Sequence, residues 1–309
     1  MAVKLAIIGL GKIAHDQHLP CVAKNRDFEL AAVVSSRGGL EGVPSFKTLG
    51  ELIASGIRLD AASLCMPPGP RFAAARDCLA AGFNLLLEKP PAPTVGEIQA
   101  LAELGRRAGK AVFTTWHSQY NAAVDEAKRL LSGKTVTRLH VEWKEDVRYW
   151  HPGQEWIWEP GGFGVFDPGI NAFSIVTKIM PEPVFVETAV LETPANRATP
   201  IAARIGFKPS WTSEARLSAD LDWRQTGEQS WNIDVETSDG LKLQLRKGGT
   251  ELYLHGKMAI AEPSAEYEAI YAHFASLLKS KTSHVDVAPL QLVSDCMMMG
   301  RRVETAAFA

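Results

Sequence analysis

The chain has 309 residues, 46% of them hydrophobic and 22% charged, with a formal net charge of −2. That length allows two domains with ample core, and the balanced charge gives no reason to expect nucleic acid or an anionic membrane as a partner. No apolar run approaches the roughly 20 residues that cross a bilayer. The four dispersed cysteines lack metal or redox spacing, so we expect reduced thiols, no bound metal and a cytoplasmic location. Met1-Ala2-Val3-Lys4 leads directly into a strand, so no signal peptide is expected.

Lys4-Leu5-Ala6-Ile7-Ile8 reads as a buried strand, and Gly9-Leu10-Gly11-Lys12-Ile13-Ala14 follows at once. This is the dinucleotide pattern GxGxxG/A between a strand and a helix. Gly9 suits the tight turn, Gly11 the approach of a pyrophosphate and Ala14 the packing of helix on strand, while the helix N-terminus favours the anion. Lys12 and Ile13 are taken with the two glycines as cofactor-binding. The next strand, Leu30–Val34, ends in Ser35-Ser36-Arg37 instead of the acid that selects an NAD ribose. Two hydroxyls and a guanidinium suit a 2′-phosphate, so NADP is the expected cofactor, with NAD also accepted.

A helix over 48–54, a strand over 61–66 halted at Pro67-Pro68 and a helix over 71–81 come next. Asn84-Leu85-Leu86-Leu87 is a further buried strand, stopped by Glu88-Lys89-Pro90-Pro91 because prolines cannot continue a ladder. Ligands of open α/β sheets sit outside the carboxyl ends of the strands. Lys89 is therefore expected at a binding crevice, with Glu88 beside it and Pro67 at the neighbouring strand end. A helix capped by Thr94, with Glu97 at the capping-box position, and a strand over 111–115 leading into Trp116-His117 complete a βαβα rhythm. The expected fold class is α/β: a doubly wound parallel Rossmann sheet over residues 1–118 that binds NAD(P), then a substrate-binding α+β domain over 119–309.

After a helix over 121–131 the hydrophobic period changes to two, first in Leu139–Glu145 and then near 184–192, 214–223, 230–237, 241–246 and 250–255. Alternation of this kind predicts a large open sheet, mostly antiparallel. Two closing helices, about 267–281 and 289–304, carry apolar residues at helical spacing, Met297-Met298-Met299 included, and read as core. The last of them is free to pack back on the first domain. Between these lies a loop, 144–162, that crowds Tyr149, Trp150, Trp156 and Trp158 beside Glu145 and His151. Aromatic faces beside carboxylates and imidazole are a natural lining for a polyhydroxylated ring. In the stretch that follows, Pro168 suits a first helical turn and makes Asp167 the expected N-cap, with Asn171 one turn on and facing the same crevice.

GLGKIA at 9–14, EKP at 88–90 and GGFGVFDPGIN at 161–171 resemble the glucose-fructose oxidoreductase / inositol dehydrogenase (Gfo/Idh/MocA) family over essentially the whole chain. The longer strings HDQHLP (15–20), WKEDVRYWHPGQEWIWEPGG (143–162), DPGIN (167–171) and GRRV (300–303) resemble its bacterial L-arabinose/D-galactose 1-dehydrogenases. The resemblance implies catalysis at Lys89 and Asp167, with Glu145, His151 and Asn171 on sugar hydroxyls. His117 and Trp150 are taken with them as substrate-binding. Asn171 stands where the broader family carries a histidine, and an amide takes no proton at neutral pH. That leaves Asp167 or Lys89 to manage the proton. The implied reaction is oxidation of an aldopyranose (L-arabinose, D-galactose or D-fucose) at C1 to its lactone, with a homodimer possible through the open sheet. Another sugar or polyol dehydrogenase of the family, an NAD-dependent glycoside hydrolase and a silent dinucleotide sensor are the alternatives.

Overall fold

The computed structural model describes residues 2–212 and 214–309, which form two compact units. The first takes the chain up to Trp116 together with Tyr267–Val287; the second takes His117–Glu266 and Ala288–Ala309.

In the first unit β1 (Val3–Ile8), β2 (Phe28–Val34), β3 (Ser45–Phe46), β4 (Ala61–Leu64), β5 (Asn84–Leu87) and β6 (Val112–Thr114) form a parallel sheet. Their order is β3-β2-β1-β4-β5-β6, the doubly wound arrangement. Strands covered by helices on both faces need apolar side chains in both directions, which is why these segments read as continuous runs. Leu5–Ile7 and Leu85–Leu87 accordingly have no exposed surface. A π-helical turn, Ala14–His18, leads into α1 (Leu19–Lys24); α2 (Leu49–Ala54), α3 (Pro68–Ala80) and α4 (Val95–Ala108) follow. Thr48 and Glu51 form a full capping box on α2, and Thr94 Oγ1 accepts the Glu97 N–H at 3.3 Å on α4. The later segment Tyr267–Val287 belongs to this unit through its aromatics and main chain. Tyr271 and Phe274 pack on Phe28, and the Thr114 N–H donates to the His284 carbonyl at 3.1 Å.

The second unit begins with α5 (Ala122–Leu131), β7 (Val136–Lys144), α6 (Val147–Trp150) and α7 (Phe166–Ile179). β8 (Val184–Pro194), β9 (Ala202–Pro209), β10 (Arg216–Asp222), β11 (Ser230–Thr237), β12 (Lys242–Arg246), β13 (Glu251–Leu254) and β14 (Lys257–Ala261) come next. After α8 (Glu266–Ser280), whose residues from Tyr267 belong to the first unit, α9 (Ala288–Met299) and β15 (Gly300–Thr305) end the chain. The nine strands lie in the order β14-β13-β12-β11-β7-β10-β9-β8-β15. All neighbours are antiparallel except β7–β10 and β8–β15. One face is apolar, built from Leu139, Val141, Leu221, Ile233 and Val235, and α7 packs against it. A Cβ at Gly169 of α7 would stand 2.6 Å from Leu221 Cδ1, so a larger residue there would push the leucine side chain aside. The other face is polar and bonded along itself, as in Lys144–Glu142 and His140–Ser218 at 2.8 and 2.9 Å.

Three expectations need correction. The helix expected over 289–304 ends at Met299, and Gly300–Thr305 pairs in parallel with β8. Arginine and glutamate are good helix formers, but a free sheet edge offers main-chain bonds that outweigh that weak preference. The methionines at the end of α9 are not core: Met298 is 84% and Met299 57% exposed. The last helix also stays with the second unit, and it is α8 that returns to the first. The strands β3, β9 and β14 carried no sequence signal strong enough to be expected.

Among the described residues no helix is long and apolar enough to cross a membrane, and all four cysteines are buried free thiols. No group of three or more His, Cys, Asp or Glu side chains among those residues could hold a metal ion.

Candidate active site

In the first unit, the residues expected at the cofactor lie at the carboxyl ends of β1, β2, β4 and β5. The sheet order reverses between β1 and β4, the position where open α/β sheets hold ligands. Gly9 closes β1 with φ +97°, and a Cβ there would meet the Met66 nitrogen at 2.7 Å. Two constraints at one residue, a left-handed backbone and a neighbouring strand end, leave only glycine. Gly11 is different, because a Cβ on it would meet no atom of the described residues within 4 Å. Protein packing does not require that glycine, whereas a pyrophosphate resting on the loop would. Lys12 is exposed and paired with Asp16, and Ile13 is half-buried. Ser35, Ser36 and Arg37 form an outward turn after β2, with Ser35 Oγ accepting the Arg37 N–H at 3.1 Å. Pro67 is exposed immediately before α3.

Lys89 is half-buried, and its peptide bond to Pro90 is cis. Two buried side chains hold this turn. The Arg71 guanidinium donates to the carbonyls of Met66, Glu88 and Pro90, which ties the ends of β4 and β5 together. Glu88, only 2% exposed, accepts the Lys89 main-chain N–H on Oε2 at 2.9 Å. Its Oε1 accepts from Tyr267 Oη at 2.8 Å and from His18 Nε2 at 2.9 Å. A buried carboxylate needs such donors, because it has given up those of water. Behind it, His18 Nδ1 meets Tyr271 Oη at 2.8 Å and Ser63 Oγ at 3.2 Å. Burial alone would lower the imidazole pKa, yet Cys65, Tyr271 and the bond to Glu88 hold it well above its ordinary value. Burial pushes the Tyr271 hydroxyl up to about 12, so it stays neutral.

The second unit assembles the residues expected at the sugar. Glu145 follows β7 and is buried; Trp223 Nε1 donates to its Oε1 at 3.2 Å and Trp231 Nε1 to its Oε2 at 3.0 Å. Trp150 packs against Trp231 with ring centres 5.5 Å apart, and its indole nitrogen is shielded from water with no acceptor among the described residues. Asp146 caps α6 by accepting the Arg148 N–H. The chain then places His151 beside Trp223, with Nε2 3.4 Å from Asp167 Oδ2. Asp167 is 3% exposed, and Asn171 lies one turn further along α7. His117 stands elsewhere in the sequence of this unit, oriented by Glu266 Oε2 at 2.9 Å, while Glu266 Oε1 accepts from Asn121 at 2.7 Å.

Asp167 is not an N-cap. The helix opens at Phe166 after Val165, which puts Asp167 inside the first turn and not at the cap. The cause lies upstream: Gly164 has φ +52°, and a Cβ there would stand 2.3 Å from the Pro200 carbonyl. This sharp turn starts the helix before the proline does. A carboxylate in a first helical turn is favoured by the helix dipole. An imidazole does meet Asp167, but from the loop: that of His151. Both residues were expected at the site, though not as a pair; His18, Arg71, Tyr267 and Tyr271 were given no site role from the sequence. A histidine one turn beyond the glycine loop, in a helix about to enter the core, was the available signal for His18.

Comparison with known proteins bears on these two constellations. Residues 3–115 match the profile of an oxidoreductase family with an NAD-binding Rossmann fold, GFO_IDH_MocA. Over 306 residues, 99% of this chain and 98% of the relative, the sequence is 42% identical to galactose 1-dehydrogenase of Pseudomonas fluorescens. The chain belongs to the Gfo/Idh/MocA oxidoreductase family. The crystal structure of a D-galactose-1-dehydrogenase from Rhizobium etli superposes with a TM-score of 0.94 at 48% identity, covering 100% of this chain and 98% of that one. A mutant form of KijD10, a 3-ketoreductase from Actinomadura kijaniata, shares the fold at a TM-score of 0.85 and 14% identity, over 99% of this chain and 100% of its own. A nicotinamide dinucleotide is the cofactor of this family's Rossmann fold, and the Gly9–Gly11 loop of the first unit fits one.

Proposed function

We propose that the chain is an NAD(P)-dependent aldose 1-dehydrogenase, oxidising the anomeric carbon of D-galactose, L-arabinose and D-fucose to the lactone. The observation that carries this reading is the buried Asp167 carboxylate at 3.4 Å from the His151 imidazole, in a loop crowded with tryptophan. A proton acceptor beside aromatic faces suits the loss of an O–H proton from a sugar better than it suits binding alone. Full-length similarity to two galactose 1-dehydrogenases supports the substrate class.

A nicotinamide dinucleotide supplies, when bound, the acceptor for the hydride leaving C1. Asp167 takes the proton of the anomeric hydroxyl as the C1–H bond breaks and the C1=O bond of the lactone forms. Positioned general bases of this kind contribute about 10²- to 10⁴-fold. His151 orients the carboxylate and offers the proton a way out. Lys89 donates to the anomeric oxygen and steadies the negative charge that grows on it. Glu145, held by two indoles, is assigned to the ring hydroxyls, Trp150 has an indole N–H to give, and Asn171 and His117 complete the polar set. The three sugars share their ring hydroxyl arrangement and differ only at C5.

The test is a panel of aldoses with NADP and NAD, followed by the ultraviolet absorbance of reduced nicotinamide. We expect turnover of all three sugars and poor turnover of D-glucose, the C4 epimer of galactose. Sugar release from a glycoside without net cofactor reduction would indicate hydrolysis instead, and binding without either would indicate a sensor.

Arg37 is assigned to the 2′-phosphate of NADP. Losing one charge-assisted bond of this kind is worth about 1.5–3 kcal/mol, so Arg37→Ala should lower the NADP-to-NAD ratio of kcat/KM by about 10- to 100-fold. An unchanged ratio removes Arg37 from cofactor selection.

A further inference from the structure

We propose that His18 and Tyr267 are positioning residues for Lys89, acting through the buried Glu88 carboxylate. The claim rests on the assignment of Lys89 to the chemistry. Glu88 folds back so that Oε2 accepts the main-chain N–H of the very next residue, Lys89, at 2.9 Å. The orientation of that carboxylate therefore sets where the lysine backbone sits and where its side chain starts. What fixes the carboxylate is the pair of donors on its other oxygen, Tyr267 Oη at 2.8 Å and His18 Nε2 at 2.9 Å.

Both donors are themselves held. Tyr271 and Ser63 face His18 Nδ1, and the His18 ring lies edge-on to Tyr267 with centroids 5.0 Å apart. The imidazole has no exposed surface, so it can take no part in binding a substrate from solvent. Its position on the helix that follows Gly11 is informative. The π-helical turn Ala14–His18 lies directly behind the glycine loop, and π turns recur at functional sites. His18 thus joins the cofactor loop to the catalytic lysine by two hydrogen bonds, His18 to Glu88 and Glu88 to Lys89. Arg71 holds the carbonyl side of the same turn, so the turn keeps one clamp when the other is removed.

The experiment compares His18→Leu, His18→Gln and Tyr267→Phe in the full chain. For each variant three quantities are measured: hydrogen exchange of the Lys89 amide by NMR, kcat and KM with D-galactose and NADP, and the melting temperature. His18→Leu and Tyr267→Phe should speed exchange of the Lys89 amide and lower kcat, each about tenfold, the worth of one hydrogen bond to a charged group. KM for NADP should stay within about threefold of wild type, a change of under 1 kcal/mol. His18→Gln, which returns an N–H donor near the Nε2 position, should recover most of both losses.

Unchanged exchange at Lys89 in Tyr267→Phe and His18→Leu overturns the proposal. So does a fall in kcat that merely tracks the melting temperature and the cofactor KM. Should His18→Leu fail to fold, Tyr267→Phe removes a single hydroxyl and carries the test. A wild-type protein that reduces no cofactor with any aldose would refute the catalytic reading, and the amide exchange would still decide the positioning claim.

Discussion

Asp167→Asn is expected to lower kcat on D-galactose by about 10²- to 10⁴-fold while leaving KM for the sugar nearly unchanged. The replacement keeps the volume and shape of the side chain within the first turn of α7, so the helix and its packing on the sheet should persist. What it removes is the capacity to accept a proton, since an amide cannot do so at neutral pH. The side chain is only 3% exposed and is paired with His151, and removing one partner of a buried pair can itself destabilise a fold, so the melting temperature is read beside kcat. An unchanged melting temperature together with a large loss of turnover would therefore locate the effect in the chemistry. His151 contributes a second check. Its Nε2 lies 3.4 Å from the carboxylate, so His151→Gln should cost less than Asp167→Asn, as expected of a group that orients the base. Turnover by Asp167→Asn within a few-fold of wild type would remove Asp167 from the proton transfer.

The first unit was legible in the sequence because its strands are buried on both faces, and burial on both faces leaves uninterrupted apolar runs such as Leu85-Leu86-Leu87. The loop after β1 was legible for another reason: Gly9 is forced by its own backbone and by Met66, so the local sequence carries the constraint. The features that escaped are those whose causes lie far away along the chain. Gly300–Thr305 becomes a strand only because β8 presents an edge, and nothing within the segment announces that partner. Asp167 was assigned to a cap because Pro168 suits a first helical turn, but that turn admits proline at more than one position. The choice between positions was made by Gly164 and the Pro200 carbonyl. The Glu88 cluster draws on residues 18, 63, 267 and 271, a set that no local pattern can bring together.

Lys89→Met should reduce kcat by about 10²- to 10³-fold, the range seen when a donor to a developing oxyanion is lost. Methionine keeps most of the apolar stem, so the packing of a half-buried lysine is largely retained and the ammonium alone is removed. Lys89→Arg is the instructive partner. It keeps the charge but replaces a compact ammonium with a broad planar fork, and such a swap is not conservative where one small oxygen must be met. We expect the arginine variant to recover only a minor part of the lost rate, with NADP binding intact in both, as measured by the fluorescence of the reduced cofactor. The combination with Asp167→Asn decides whether the two residues share a task. Groups that act on one O–H bond do not contribute independently, so the double variant should lose much less than the product of the single losses. If the losses multiply, the amine and the carboxylate contribute independently and do not share the proton transfer, whereas a raised KM with unchanged kcat in Lys89→Met would make Lys89 a residue of ground-state binding.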